Sequence, residues 1–142
     1  GTGLAPFLSI IKDPEIYDRF DTIILAHGVR YVSELAYSDY IQHELTEHEY
    51  FGKLVKKKLR YYPLVTREPF KNNGRITDMM TCGKLFIDLD LPLPNKKDDR
   101  FMLCGSPSML KDMRSILEAR GFSETRAGGM GEYVIERAFV DK

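Results

Sequence analysis

Two short apolar runs, Thr22-Ile23-Ile24-Leu25-Ala26 and Arg100-Phe101-Met102-Leu103-Cys104-Gly105, constrain the fold of this 142-residue chain more than any other feature. The first, rich in β-branched residues and without alternating polarity, suits a strand buried on both faces of a parallel sheet, and the second reads as another short apolar strand. Each run leads through a loop into a helix signal. The first ends at His27-Gly28-Val29-Arg30; Ser33 then suits an N-cap, and Leu35, Ala36, Tyr40, Ile41 and Leu45 recur at helical spacing toward Lys53. The second meets Ser106-Pro107, an N-cap followed by a proline pre-set for the first helical position. Met109, Leu110, Met113, Ile116 and Leu117 then form one apolar stripe, and Gly121 supplies a left-handed stop.

Between these units, Leu59 to Thr66 reads as a strand, with Pro63 arguing for an edge position or a bulge. Asn72-Asn73-Gly74 is a turn, and Arg75 to Met80 and Lys84 to Phe86 read as short helical segments before the loop at Pro92 and Pro94. Tyr133, Ile135 and the run Ala138-Phe139-Val140 suggest a last strand. Strands alternating with helices predict an α/β domain of three layers, α/β/α, with a parallel sheet of about five strands spanning residues 1–142.

The opening Gly1-Thr2-Gly3-Leu4-Ala5-Pro6-Phe7 is a glycine turn running into a helix that should end near Pro14. In nucleotide-binding α/β folds such a turn follows a buried strand, so the expectation is that the first strand lies outside this chain. Gly1 and Gly3 would let the backbone approach a pyrophosphate at the positive end of the helix, although a GTG serves equally as a tight turn needing positive φ.

Balanced charge, with Lys plus Arg and Asp plus Glu both 21, gives no general attraction to nucleic acid or an anionic membrane, so any anion site must be local. The basic run Lys56-Lys57-Lys58 with Arg60 reads as the solvated end of a helix. No apolar run approaches the roughly 20 residues that span a bilayer, and no signal-like start is present; the expectation is a cytoplasmic protein. Cys82 and Cys104 lack CxxC spacing, and His27, His43 and His48 lack metal spacing, with His43 and His48 expected on one polar helix face. Neither a disulfide framework nor a metal site is expected.

Arg30, Arg67 and Arg75 all follow expected strands or turns, where an α/β sheet opens its ligand crevice. Guanidinium groups hold phosphate dianions bidentately, and a 2′-phosphate is what distinguishes NADP from NAD. No acidic residue directly follows the first strand, which points the same way. The competing reading is ordinary surface pairing, Arg67 with Glu68 for instance. Cys104 would end a buried strand at the same edge; its chemistry alone favours a packing role, since no base beside it marks an activated thiol.

Gly1 to Phe7, His27-Gly28-Val29-Arg30, Val65-Thr66-Arg67-Glu68, Gly74-Arg75-Ile76-Thr77, Leu103-Cys104-Gly105-Ser106-Pro107 and the ending Ala138-Phe139-Val140-Asp141-Lys142 together resemble bacterial ferredoxin–NADP⁺ reductases over the whole chain. The resemblance implies the C-terminal NADP(H)-binding domain of a flavoenzyme. Gly1, Thr2 and Gly3 would bind the pyrophosphate, while Arg30, Arg67 and Arg75, helped by Thr66, would grip the 2′-phosphate. Cys104 would flank the nicotinamide as the catalytic residue, with Gly105 beside it among the cofactor-binding residues. Ala138 would lie against the flavin ring of FAD and Phe139 against its adenine, so that the terminus regulates access of nicotinamide to flavin.

The family carries FAD mainly on an N-terminal β-barrel whose motif is not in this sequence. The resemblance therefore implies an enzyme only as part of the longer protein, exchanging electrons with ferredoxin or flavodoxin, and a chain that alone binds nucleotide without turnover. An NADH-preferring flavin reductase of an oxygenase system and a non-catalytic nucleotide-binding module are the other readings. In this family the first strand is central, so its absence should leave two open strand edges; the N-terminal part is expected as a separate fragment, or the lone chain as a poor folder.

Overall fold

The computed structural model describes residues 5–35, 38–125 and 131–135, and the side chains within this set except those of Ala5 and Pro6. The expected Gly1, Thr2 and Gly3 loop and the Ala138 and Phe139 ending lie outside the described residues. The chain forms two compact units, residues 1–76 and 77–142.

The first unit opens with α1 (Ala5–Ile11) and α2 (Pro14–Arg19). Sequence reading expected a single helix ending near Pro14; instead the proline starts a second one. Asp13 accepts the Glu15 N–H at 3.0 Å, and Pro14 occupies a first-turn position where its missing N–H costs nothing. Tyr17, fully buried, donates its hydroxyl to the Ile11 carbonyl at 2.6 Å and so fixes the turn between the helices. Burial raises its phenol to about 12. Lys58 caps the same region through the Tyr17 carbonyl.

Strand β1 (Ile23–Val29) runs parallel to β2 (Leu59–Val65), in register from Ile23 opposite Leu59 to Val29 opposite Val65. β1 therefore carries His27 and Gly28 inside the strand rather than in a following loop, and Arg30 comes directly after its last residue. Pro63 lies opposite His27 in unbroken register, so no bulge is needed. Among the described residues β1 is the strand paired along β2, which matches the expected edge position of a strand containing proline.

One long helix from Ser33 toward Lys53 was the expectation, and the structure replaces it. A 3₁₀ turn at Val32–Glu34 is followed by a π turn at Tyr40–Glu44, a 3₁₀ turn at Leu45–Glu47 and then α3 (Gly52–Lys58). Ser33 lies within the first turn rather than capping it. Two local causes stand out. Thr46 turns its hydroxyl back onto the His43 carbonyl at 2.9 Å, and His48 is extended, with its ring stacked on Phe51 at 3.8 Å between centroids. Thus His43 and His48 do not share a helix face. Gly52 then passes so close to the Thr46 carbonyl that any side chain would collide with it. Of the apolar positions read from their spacing, Ile41 and Leu45 join Leu8, Ile11, Tyr17, Leu25, Phe51, Val55 and Leu59 in one core and Tyr40 packs against it, while Ala36 lies outside the described residues. Lys56, Lys57 and Lys58 form the last turn of α3; Lys56 and Lys57 are exposed as a solvated basic helix end should be, whereas Lys58 is half-buried on the Tyr17 carbonyl and Arg60 belongs to β2.

After the loop beyond β2 come α4 (Ile76–Cys82) and α5 (Lys84–Asp88), at the two places where short helices were expected. In the second unit β3 (Phe101–Leu103) pairs in parallel with β4 (Tyr133–Ile135), Phe101 opposite Tyr133 and Leu103 opposite Ile135. Between them runs α6 (Pro107–Ala119), with Ser106 accepting the Met109 N–H at 3.2 Å and Pro107 in the first turn. Met113 and Leu117 are its buried residues, and Gly121 follows at φ 89°. The Tyr133 hydroxyl donates to Glu118 at 2.6 Å and joins β4 to α6.

All four described strands pair in parallel, in the α/β arrangement expected, β1 with β2 in the first unit and β3 with β4 in the second. Among the described residues, β1 has no strand on the edge away from β2, and β3 none on the edge away from β4.

Candidate functional site

Parallel pairing carries on past the ends of β1 and β2. The Thr66 N–H donates to the Val29 carbonyl at 3.0 Å, and the Arg67 N–H donates to the Arg30 carbonyl at 2.9 Å. Arg30 and Arg67 are thereby set side by side at the carboxyl edge of the pair, the end where open α/β sheets take ligands. The Thr66 hydroxyl lies 3.5 Å from the Val29 carbonyl, at the limit of a hydrogen bond.

The chain then loops away and returns to the same edge. Val65 donates its N–H to the Asn72 carbonyl, and Gly74 donates to the Val65 carbonyl, both at 3.0 Å. Asn73 secures the return, its side-chain amide donating to the Val65 carbonyl at 3.0 Å and to the Glu68 carbonyl at 2.9 Å. Gly74 has φ 148°, a left-handed-side value that disfavours residues with a side chain. Arg75 follows it immediately, at the start of α4. One backbone network thus ties together the three segments that bear the arginines.

All three arginines are exposed, and none forms an ion pair with a described residue. The alternative of Arg67 pairing with Glu68 is not what the structure has: the Glu68 carboxylate accepts the Val32 N–H instead. Glu34 accepts the N–H groups of Arg30 and Tyr31 at 3.1 and 3.0 Å. The Tyr31 N–H above all, partly offset by desolvation and aided by the N–H and charge of Arg30, holds the Glu34 carboxyl below its ordinary range. Three successive backbone donors after β1 are therefore occupied by two carboxylates, while the guanidinium groups are left to solvent.

The sequence names Glu68 only as a surface partner for Arg67, and neither its bond to Val32 nor the role of Glu34 is foreseen there. Glu34, three residues beyond Tyr31, had a readable signal, because a glutamate at that spacing reaches back to a helical turn's first N–H. Glu68 had none, since its partner lies 36 residues earlier and meets it only through strand pairing.

Behind this edge, within β1, His27 is buried with Nδ1 3.0 Å from the Tyr61 hydroxyl and Nε2 without a partner. Burial drives its imidazole down to about 4. An open cleft of about 720 Å³ nearby is lined by Val32, Leu35, Tyr40, Pro63, Phe70 and Lys71 among others, and by none of the three arginines.

In the second unit, Cys104 directly follows β3, free and half-buried, with Gly105 leading to the Ser106 cap of α6. A side chain on Gly105 would meet only the flexible end of Met109. Among the described residues no helix is long and apolar enough to cross a membrane.

Residues 1–115 match the family of oxidoreductase NAD-binding domains. The whole chain is 61% identical to a ferredoxin–NADP reductase of Pseudomonas aeruginosa, covering 55% of that protein. Over 99% of its length it is 44% identical to a flavodoxin/ferredoxin–NADP reductase of Rhodobacter capsulatus, covering 52% of it. The chain thus spans about half the length of the relatives it matches. Among solved structures, a ferredoxin NADP⁺ reductase from Neisseria gonorrhoeae with bound FAD and NADP superposes with a TM-score of 0.80 at 32% identity, over 96% of this chain and 52% of that one.

Proposed function

The chain belongs to the family of oxidoreductase NAD-binding domains, and from that premise we propose that residues 1–142 are the NADP(H)-binding part of a ferredoxin–NADP⁺ reductase. The observation that carries this reading is the Arg67 N–H bond to the Arg30 carbonyl, which joins the backbones of two arginines without ion-pair partners among the described residues at the carboxyl edge of a parallel pair. Arg75 reaches the same edge through Gly74. The donor set suits a phosphate dianion: Arg30, Arg67 and Arg75 bind the 2′-phosphate, with Thr66 adding a hydroxyl.

Gly1, Thr2 and Gly3 would hold the pyrophosphate, and Cys104 with Gly105 would border the nicotinamide, where a small polarizable thiol leaves room for a planar ring. Ala138 and Phe139 would lie against FAD, which is held mainly by a further domain of the same protein. When bound, NADPH supplies a hydride and FAD accepts it. The residues of this chain bind and orient the nucleotide. Ferredoxin or flavodoxin is the electron partner of the whole protein, whose place is the cytoplasm.

The test is nucleotide preference in the intact protein. NADPH should bind at least tenfold more tightly than NADH, and Arg67→Ala should abolish most of that preference, since charge-assisted hydrogen bonds are worth roughly 1.5–3 kcal/mol each. Equal affinity for the two nucleotides would remove the three-arginine site.

A further inference from the structure

We propose that Glu68 is a positioning residue for the arginine edge: it fixes the three arginine-bearing segments relative to one another and so sets selectivity for a 2′-phosphate. The inference rests on the reading of Arg30, Arg67 and Arg75 as a phosphate site. Glu68 is joined to each segment by a different group. Its carboxylate accepts the Val32 N–H, two residues beyond Arg30. Its backbone follows Arg67, whose N–H is bonded to the Arg30 carbonyl. Its own carbonyl accepts the Asn73 side-chain amide, two residues before Arg75.

A carboxylate beside a phosphate site is otherwise unfavourable, because like charges repel and lower anion affinity. Here it is half-buried and occupied by a backbone donor, so it serves geometry while no arginine is neutralised by it. Glu34 performs the corresponding task locally, closing the Arg30 and Tyr31 donors within its own turn. The Glu68 carboxylate reaches across from the second strand's loop to the Val32 N–H beyond the first, adding a side-chain tie to the backbone bond between Arg67 and Arg30. Three guanidinium groups on separate loops could converge on one phosphate only if those loops keep a fixed spacing, because small displacements weaken bidentate bonds steeply.

The experiment measures binding of adenosine 2′,5′-bisphosphate and of 5′-AMP by calorimetry to the intact protein and to Glu68→Ala and Glu68→Gln. Glu68→Ala should weaken the bisphosphate roughly tenfold, equivalent to about 1.4 kcal/mol, and leave AMP unchanged. Glu68→Gln, whose amide oxygen can still accept the Val32 N–H, should stay within about twofold of the parent. If both variants bind the bisphosphate more tightly, the carboxylate acts only as a repelling charge and the proposal is wrong. Equal weakening of both ligands by Glu68→Ala would reduce it to general scaffolding and also overturn it. Should that variant fail to fold, Asn73→Ala, which removes the bond to the Glu68 carbonyl, must still weaken the bisphosphate selectively; unchanged binding would count against the proposal. A parent protein that does not prefer the bisphosphate over AMP would instead defeat the arginine site itself, a result separate from any behaviour of Glu68.

Discussion

After β3, Ser106 accepts the Met109 N–H, Pro107 enters the first turn, and a thirteen-residue helix follows at once. After β1, the N–H groups of Arg30, Tyr31 and Val32 go to Glu34 and Glu68, and the chain continues through 3₁₀ and π turns before α3. Both strands deliver a loop at a carboxyl edge, but the first solution is local and the second is not. A loop closed by its own cap needs nothing from elsewhere in the chain, and around Cys104 it is built from small residues. A loop held by a carboxylate from a distant segment depends on the strand pairing that brings that segment near, and the same pairing sets the Arg30 backbone against that of Arg67.

The largest expected effect that sharpens this contrast comes from acid. The unfolded chain protonates His27 near 6.5 whereas the folded chain resists until about 4, so unfolding gains on folding throughout that window and the effect saturates below it. The contribution is on the order of 3 kcal/mol, fully present above pH 6.5 and lost progressively toward pH 4. Denaturant unfolding of the intact protein and of His27→Gln across this range should show a shallower acid loss in the variant. Amide exchange should place the acid-sensitive opening in β1 and β2. Opening that begins instead in β3 and β4 would break the comparison, because His27 belongs to the first pair.

A smaller effect is expected at the second edge. Ser106→Ala removes a side-chain cap and should cost about 1 kcal/mol, seen as faster exchange in the first turn of α6, with the preference for NADPH over NADH intact. A change in nucleotide preference of the same size as that of Arg67→Ala would mean that the 2′-phosphate is read at this edge as well.

How much of this could be read in advance follows the same division. The strands at Ile23 and Phe101, the Ser106 cap, the apolar stripe through Met113 and Leu117 and the Gly121 stop are written in residues within a few positions of one another, and they were legible. Arg30 and Arg67 were legible as residues after strands, because a buried strand announces its own end, and Arg75 as the residue after a turn. The helix expected from Ser33 toward Lys53 is not one regular α-helix among the described residues: Ser33 lies in a 3₁₀ turn and His48 is extended, while the helical run 38–47 takes π and 3₁₀ turns, which place Ile41 and Leu45 in the core equally well and which spacing alone cannot tell from an α-helix. The α2 helix was hidden because a proline both ends one helix and starts the next. The role of Glu68 depended on a register between strands that no local signal carries.

The most direct test of the central claim is a phosphorus NMR titration of NADP⁺ bound to the intact protein, following the 2′-phosphate from pH 5 to 8. Its second ionisation, about 6 when free, should fall by one unit or more if Arg30, Arg67 and Arg75 stabilise the dianion. Arg67→Ala should recover part of that shift. A bound 2′-phosphate that titrates as it does in free solution would contradict the account, because a phosphate held by three guanidinium groups cannot keep its solution pKa.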